Sequence, residues 1–136
     1  MKSNNPTLSI CLTCRDNHEK KYISRGGARL ANKILEEFNN ENALNIRGVK
    51  CMSNCNRSCV ISITAKDCFT YVFGDIDPDK SEYISSLKEL ISNYSSTSDG
   101  FLKRDERPEI FQSNIIGRLP PIISDSSLIT KFNNKK

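Results

Sequence analysis

Residues 51–64 read Cys51-Met-Ser-Asn-Cys55-Asn-Arg-Ser-Cys59-Val60-Ile-Ser-Ile-Thr64, three cysteines at four-residue intervals that lead into a β-rich apolar run. A second cluster, Cys11-Leu-Thr-Cys14, ends another short apolar run at residues 8–12. The 36 residues between Cys14 and Cys51 suffice for one helix and one strand, so a small domain can turn the clusters to face each other. Cysteines at these spacings converge when they bind a metal, and the pattern predicts a metal centre.

Length and composition favour one intracellular domain. A chain of 136 residues can bury a core without disulfides, and its six cysteines fall below the roughly 8–10% typical of disulfide scaffolds. The apolar run near the N-terminus is too short for a signal peptide or a membrane span. We therefore expect a cytoplasmic protein without membrane association, in a compartment where cysteine pairs bind metal or do redox work. The net charge of +4 is scattered, so nucleic acid is not an expected partner.

The apolar periodicity predicts an α/β fold. Alternating or β-rich runs indicate strands at residues 8–12, 44–49, 60–64 and 69–73, the last two joined as a hairpin. Gly26-Gly27 lacks the spacing of a phosphate loop and is interpreted as a helix-entry turn. Asp77 can cap the start of a second helix, and Pro78 suits the first helical position after it. The two helical stripes are Leu30, Ile34, Leu35 and Phe38, and Ile84, Leu87, Leu90, Ile91 and Tyr94.

The order is β-α-β, a cysteine loop, a β-hairpin and a helix. It matches a thioredoxin-like domain with a four-stranded mixed sheet and two main helices, packed on one face or on both. We assign residues 7–94 to this domain. Residues 95–136, which contain Pro108, Gly117 and Pro120-Pro121, are predicted to be an irregular C-terminal extension that packs on the domain and frays at its end.

At this level of detail the chain resembles the thioredoxin-like [2Fe-2S] ferredoxins. In that family a pair of cysteines follows the first strand, and a second pair with a three-residue gap precedes an apolar strand. Cys51 and Cys55 have that gap here. The first pair, Cys11 and Cys14, is closer than in the family, and the fifth cysteine, Cys59, is additional. The resemblance implies a [2Fe-2S] cluster and one-electron transfer to or from an unidentified enzyme.

The chain is also similar to a small uncharacterised bacterial family of predicted metal-binding, ferredoxin-like proteins. The shared pattern is Cys-x-x-Cys-Arg, Cys-x3-Cys-x3-Cys, Phe-Gly-Asp, Arg-Pro and Arg-x-Pro-Pro. Its counterparts here lie at residues 11–15, 51–59, 73–75, 107–108 and 118–121.

The predicted metal ligands are Cys11, Cys14, Cys51 and Cys55, with Cys59 as the alternative to Cys14 for the fourth position. Structural zinc in an interaction module is the alternative to iron and sulfur, since four cysteines bind zinc tetrahedrally without redox chemistry. A thioredoxin-type dithiol at Cys11 and Cys14 is a further reading, but it needs a helix N-terminus next to the pair.

The remaining candidates are interpreted as non-ligands. Cys68 lies at a hairpin turn and is expected to be an unligated thiol. His18 is the only histidine and is expected to be a solvated loop residue, since Rieske ligation needs two. No Ser-His-Asp, Cys-His or paired-carboxylate arrangement accompanies the cysteines, so an enzyme is not expected.

The charges beside the ligands predict the kind of partner. Arg15, Lys50 and Arg57 flank the cysteines, whereas the nearest acidic residues, Asp16 and Glu19, lie on the first loop. We therefore expect a redox partner protein with an acidic docking surface. The sequence does not decide whether the protein forms a homodimer.

Overall fold

A five-stranded β-sheet and two α-helices form the framework of the protein, seen here in a computed structural model that describes residues 5–15, 25–38 and 43–132. The strands are β1 (Thr7–Cys11), β2 (Asn45–Val49), β3 (Ile61–Thr64), β4 (Thr70–Phe73) and β5 (Ile115–Leu119). The helices are α1 (Gly26–Glu37) and α2 (Ser81–Ser95), and three single 3-10 turns span Cys55–Arg57, Arg104–Glu106 and Glu109–Phe111. The strand order is β2-β1-β3-β4-β5.

The sheet is mixed, as the sequence predicts. β1 pairs with β2 in parallel, and the three other pairings are antiparallel. The predicted strand and hairpin positions agree with the structure to within one or two residues. The connection between β1 and β2 contains α1, which is the usual way to join parallel neighbours.

One face of the sheet is apolar and carries both helices, which decides between the two arrangements that the sequence allows. Residues directly opposite each other on neighbouring strands share a face. On that face the Tyr71 ring meets the Tyr94 ring of α2 edge to face, with centroids 6.2 Å apart. Glu37 of α1 forms an ion pair with Lys88 of α2 at 3.6 Å, so the helices lie side by side. The buried strand residues of this face are Leu8, Ile10, Ile61, Ile63, Tyr71 and Phe73.

The C-terminal segment supplies a fifth strand, where four strands and an irregular extension were expected. β5 pairs antiparallel with β4 and so satisfies backbone groups along that edge of the sheet. Gly117 and the following Pro120-Pro121 obscure this strand in the sequence, because both residue types are rare in strand interiors. Leu102 and Phe111 from the same segment are buried in the core. Arg107 is buried as well and donates a hydrogen bond to the Phe111 carbonyl at 2.9 Å.

α2 begins later than predicted. The expected cap was Asp77 with Pro78 as first helical residue, but the helix starts at Ser81 with Lys80 in the cap position. The Asp77 carboxylate instead accepts the backbone N–H of Asp79 at 2.9 Å. Such a bond closes a turn of its own, and this turn delays the helix.

Leu35, predicted in the buried stripe of α1, is 51% exposed. It lies beside Ile46 and Gly48 of β2, in a shallow groove at the edge of the sheet. Because β2 is the last strand on that side, no other element of the described residues covers the leucine. Among the described residues, no helix has the length and the hydropathy that crossing a membrane requires.

Candidate metal centre

The parallel pairing of β1 and β2 brings the two cysteine clusters together. Cys11 and Val49 are the last residues of their strands and lie opposite each other, so both cysteine loops leave the sheet at the same end. β3 begins and β4 ends at this end too, because Ile61 lies opposite both Ile10 and Phe73. Four chain segments therefore meet around one site.

A cavity of about 540 Å³ lies between these segments. Three of the four predicted ligands, Cys11, Cys14 and Cys51, line it. The other lining residues are polar: the hydroxyl and amide side chains of Thr13, Ser53, Asn54, Asn56 and Ser58, the guanidinium groups of Arg15 and Arg25, and the carboxylate of Asp75.

The first turn of α1 packs directly on the Cys11–Cys14 loop. The Gly27 N–H donates to the Cys14 carbonyl at 3.0 Å. A Cβ at Gly27 would lie 1.9 Å from the carbonyl oxygen of Cys11, a distance that no side chain tolerates, so this contact requires glycine. The Gly26-Gly27 pair thus lies at the start of α1 and allows the helix to approach the first cysteine loop closely.

Thr13 connects the two cysteine loops. Its hydroxyl donates to the backbone carbonyl of Lys50, the residue before Cys51. Its own carbonyl accepts a hydrogen bond from the Arg25 guanidinium at 3.1 Å. The first loop is therefore held both by the second loop and by the residue that precedes α1.

The Cys11 and Cys14 thiols are buried and interact with each other. Burial pushes the pKa of Cys11 upward, but the hydrogen bond from Cys14 and those from backbone near Met52 and Thr13 outweigh it, so the net pKa is lowered. Burial and the bond to Cys11 raise the pKa of Cys14 to about 11. Of the two thiols, Cys11 therefore loses its proton more readily, and hydrogen bonds that stabilise a thiolate also suit metal ligation.

The second cysteine loop presents Cys51 to solvent and to the cavity. Cys51 is exposed, and its Sγ accepts the backbone N–H of Ser53 at 3.4 Å. Ser53 has a φ of 57°, a left-handed conformation that turns the loop back. Cys55 begins the 3-10 turn Cys55–Arg57, and its side chain lies outside the described part of the structure.

Arg57 and Asp75 hold the end of this loop against the exit of β4. The guanidinium contacts one carboxylate oxygen through Nε at 2.8 Å and through Nη2 at 2.7 Å. The Asp75 N–H donates to the Arg57 carbonyl at 2.7 Å. A Cβ at Gly74 would lie 2.6 Å from that same carbonyl oxygen, so the Phe-Gly-Asp motif provides a second close approach. The hydrogen bond to Asp75 raises the pKa of Arg57.

Cys59 and Cys68 do not line the cavity. Cys59 is fully buried, and it exchanges backbone hydrogen bonds with Ile76 at 3.3 and 3.2 Å. Cys68 is buried at the turn between β3 and β4, where its N–H donates to the Ala65 carbonyl at 3.1 Å. His18 and the acidic residues Asp16 and Glu19 lie outside the described residues.

The donor set fits a thiolate-bound centre. The three described thiols share one cavity, and the turn that carries Cys55 starts four residues after Cys51. Among the described side chains, no three His, Cys, Asp or Glu residues gather closely enough to hold a metal ion by themselves. The described side chains alone therefore do not form a complete metal site, and Cys55, whose side chain is not described, stays a predicted ligand. Four thiolates suit iron–sulfur clusters and tetrahedral zinc alike.

A family model described as "Protein of unknown function (DUF1636)" matches residues 8–121. The chain belongs to this family. The matched span runs from β1 to the end of β5, so the DUF1636 region includes both cysteine clusters, the Phe-Gly-Asp motif and the C-terminal strand. Among curated proteins, no match was found.

Solved structures are similar to this DUF1636 protein in fold. The thioredoxin-like [2Fe-2S] ferredoxin from Aquifex aeolicus aligns with a TM-score of 0.51 at 15% identity, over 88% of this chain and 97% of that chain. A cysteine-to-serine variant of that type of ferredoxin, also from Aquifex aeolicus, aligns with a TM-score of 0.50 at 13% identity, over 82% of this chain and 98% of that chain. The predicted thioredoxin-like fold is thereby confirmed.

Two residues of the site were missed in the sequence. Arg25 was not singled out because it lies ten residues after Arg15 in a polar stretch, and only the folded chain brings it to the cavity. Asp75 was noticed only as part of a motif. Its Phe-Gly-Asp context at a strand end was the available signal, since a glycine there indicates a close backbone approach.

Proposed function

We propose that this protein binds a [2Fe-2S] cluster through Cys11, Cys14, Cys51 and Cys55 and works as a one-electron carrier for an enzyme. The observation that carries the proposal is the shared cavity of Cys11, Cys14 and Cys51 at one end of a thioredoxin-like sheet. Such a cluster supplies reversible one-electron chemistry when it is bound.

The neighbouring groups suit an anionic, thiolate-bound centre. The Ser53 N–H already points at the Cys51 sulfur, and amide donors to sulfur raise the potential of such centres. Arg15 and Arg25 add positive charge at the cavity wall. Thr13 and Gly27 keep the first loop in place through backbone contacts, so the thiols are held by rigid elements.

A carrier role is favoured over catalysis by the character of the lining. The described lining consists of thiols, hydroxyls, amides, arginines and one carboxylate, that of Asp75, which Arg57 engages. Cys51 is exposed, which offers a short route for an electron to a partner protein. We propose a cytoplasmic partner with an acidic docking surface that meets Arg15, Arg25 and Lys50.

Metal analysis of the anaerobically purified protein tests the proposal. We expect iron and inorganic sulfide at two atoms each per chain, a brown colour and visible absorbance that bleaches on reduction by dithionite. A colourless protein with one zinc would refute the cluster and support the zinc-stabilised interaction module instead.

Single substitutions test the ligand set. Cys51→Ser and Cys55→Ser should lose the visible absorbance, and Cys11→Ser and Cys14→Ser should lose or alter it. Cys68→Ser is the matched control, because Cys68 is a buried thiol outside the cavity, and it should keep full iron content. Cys59→Ser tests which residue is the fourth ligand: the variant should keep its iron if Cys14 is that ligand and lose iron if Cys59 is. Full iron in Cys51→Ser or Cys55→Ser would contradict the assignment.

A further inference from the structure

The ion pair between Arg57 and Asp75 lies at the edge of the candidate metal centre, between two chain segments that backbone hydrogen bonds join. Ion pairs between exposed side chains contribute little to stability on their own. Here the backbones of the two partners are joined as well: the Asp75 N–H donates to the Arg57 carbonyl at 2.7 Å, and Cys59 and Ile76 exchange backbone hydrogen bonds one step further along. The segments that carry the two charges are thus joined beside the cysteine loop, and the two side chains pair there at 2.7 and 2.8 Å.

Of the two charged residues, only one lines the cavity. Asp75 lines the cavity, whereas Arg57 is not among its lining residues. A carboxylate therefore faces the place where an anionic cluster would be bound, and the guanidinium touches that carboxylate at 2.7 and 2.8 Å. An unpaired carboxylate here would oppose reduction, since reduction adds one more negative charge to the centre.

We propose that the Arg57–Asp75 pair sets the reduction potential of the bound cluster by controlling how much of the Asp75 charge reaches it. The inference rests on the proposed function. Arg57→Gln exposes the centre to the full carboxylate charge and lowers the potential. Asp75→Asn removes the carboxylate, leaves the Arg57 cation, and raises the potential. The double variant returns close to the wild-type value.

Opposite signs distinguish this role from a structural clamp. A clamp that only holds the loop would be weakened by both variants, and their effects would have the same sign. Asp75→Asn also suits the backbone, because Asp75 has a φ of 56° and asparagine adopts this left-handed region readily. Arg57→Lys provides the rescue: it keeps the positive charge, so the potential should stay close to wild type although the two-point contact is lost.

The experiment is a potentiometric measurement on the cluster-loaded, full-length protein, with dithionite as the electron donor and visible absorbance as the readout. We expect Arg57→Gln and Asp75→Asn to shift the ratio of oxidised to reduced cluster about tenfold in opposite directions, which is about 59 mV each for one electron. Lys88→Gln is the matched control: Lys88 is also exposed and paired, with Glu37 at 3.6 Å, but it lies between the helices, so the potential should not move.

Iron content and the absorbance spectrum are measured on the same samples. Variants with normal iron and unshifted potentials, or with shifts of the same sign, would overturn this inference and leave the proposed function intact. A zinc-loaded, colourless wild type would instead overturn the proposed function, and the inference with it.

Discussion

Replacing Gly27 by alanine tests whether the contact between α1 and the first cysteine loop organises the site. The new Cβ would lie 1.9 Å from the Cys11 carbonyl oxygen and 3.1 Å from the backbone carbon of Leu12. Both neighbours are backbone atoms, so no rotamer change can relieve the clash. Either the helix or the ligand loop has to move.

Three effects decide the sign of the change in unfolding free energy. Alanine favours the helical state by up to about 1 kcal/mol over glycine. Overpacking costs roughly 1–3 kcal/mol, and weakening the Gly27–Cys14 hydrogen bond costs roughly 0.5–1.5 kcal/mol. The two losses together, roughly 1.5–4.5 kcal/mol, outweigh the gain by about 0.5–3.5 kcal/mol, which for a domain of this size lowers the Tm by roughly 2–14 °C.

The assay is thermal unfolding followed by circular dichroism, combined with the metal content of the purified protein. Gly117→Ala is the matched control, because a Cβ there meets nothing within 4 Å. The control should keep the wild-type Tm or gain slightly, since alanine restricts the unfolded chain. If Gly27→Ala kept both the wild-type Tm and full metal content, the close approach would not exist in solution.

Three further predictions concern the contact between Tyr71 and the C-terminal segment, the loop at residues 51–59 and the surface on which a redox partner docks. Tyr71→Phe should lower the unfolding free energy by roughly 1–3 kcal/mol in urea with unchanged iron content, because the buried Tyr71 hydroxyl accepts the Leu102 N–H at 2.7 Å and donates to the Leu102 carbonyl at 3.2 Å. Removal of the metal should increase hydrogen exchange at residues 51–59 more than in α2, whose apolar stripe packs without it; equal protection of that loop in both forms would argue against a metal-organised site. The rate of electron transfer to an acidic partner, measured by stopped flow, should fall as salt rises and fall again in Arg25→Glu. A rate that changes with neither would mean that the partner docks on another surface.

The sequence was most informative where one local signal was enough. The strand patterns of the β3–β4 hairpin and the glycines at the start of α1 are local, and the structure has them where they were expected. The parallel pairing of β1 and β2 brings Cys11, Cys14 and Cys51 to one cavity, because such a pair carries its following loops to the same edge, and their role as metal ligands stays a prediction.

The sequence was least informative where position depends on a distant partner. β5 exists because β4 offers it an open edge, and nothing within its own five residues announces that pairing. Asp75 and Arg57 are 18 residues apart, and they meet only because β3 and β4 form a hairpin over the cysteine loop. Arg57 was therefore expected on the docking surface, where its contact with Asp75 could not be foreseen.

Because β5 lies late in the sequence, the cysteines are synthesised well before the strand that completes the sheet. Every predicted ligand, the alternative Cys59 included, lies within the first 59 residues, whereas Leu102, Phe111 and the strand that completes the sheet come from the last third of the chain. A growing chain therefore carries all the predicted ligand thiols well before Phe111 can cover the Phe73 ring, whose centroid lies 5.0 Å from its own. During that interval the thiols depend on a reducing environment rather than on a finished core for their protection.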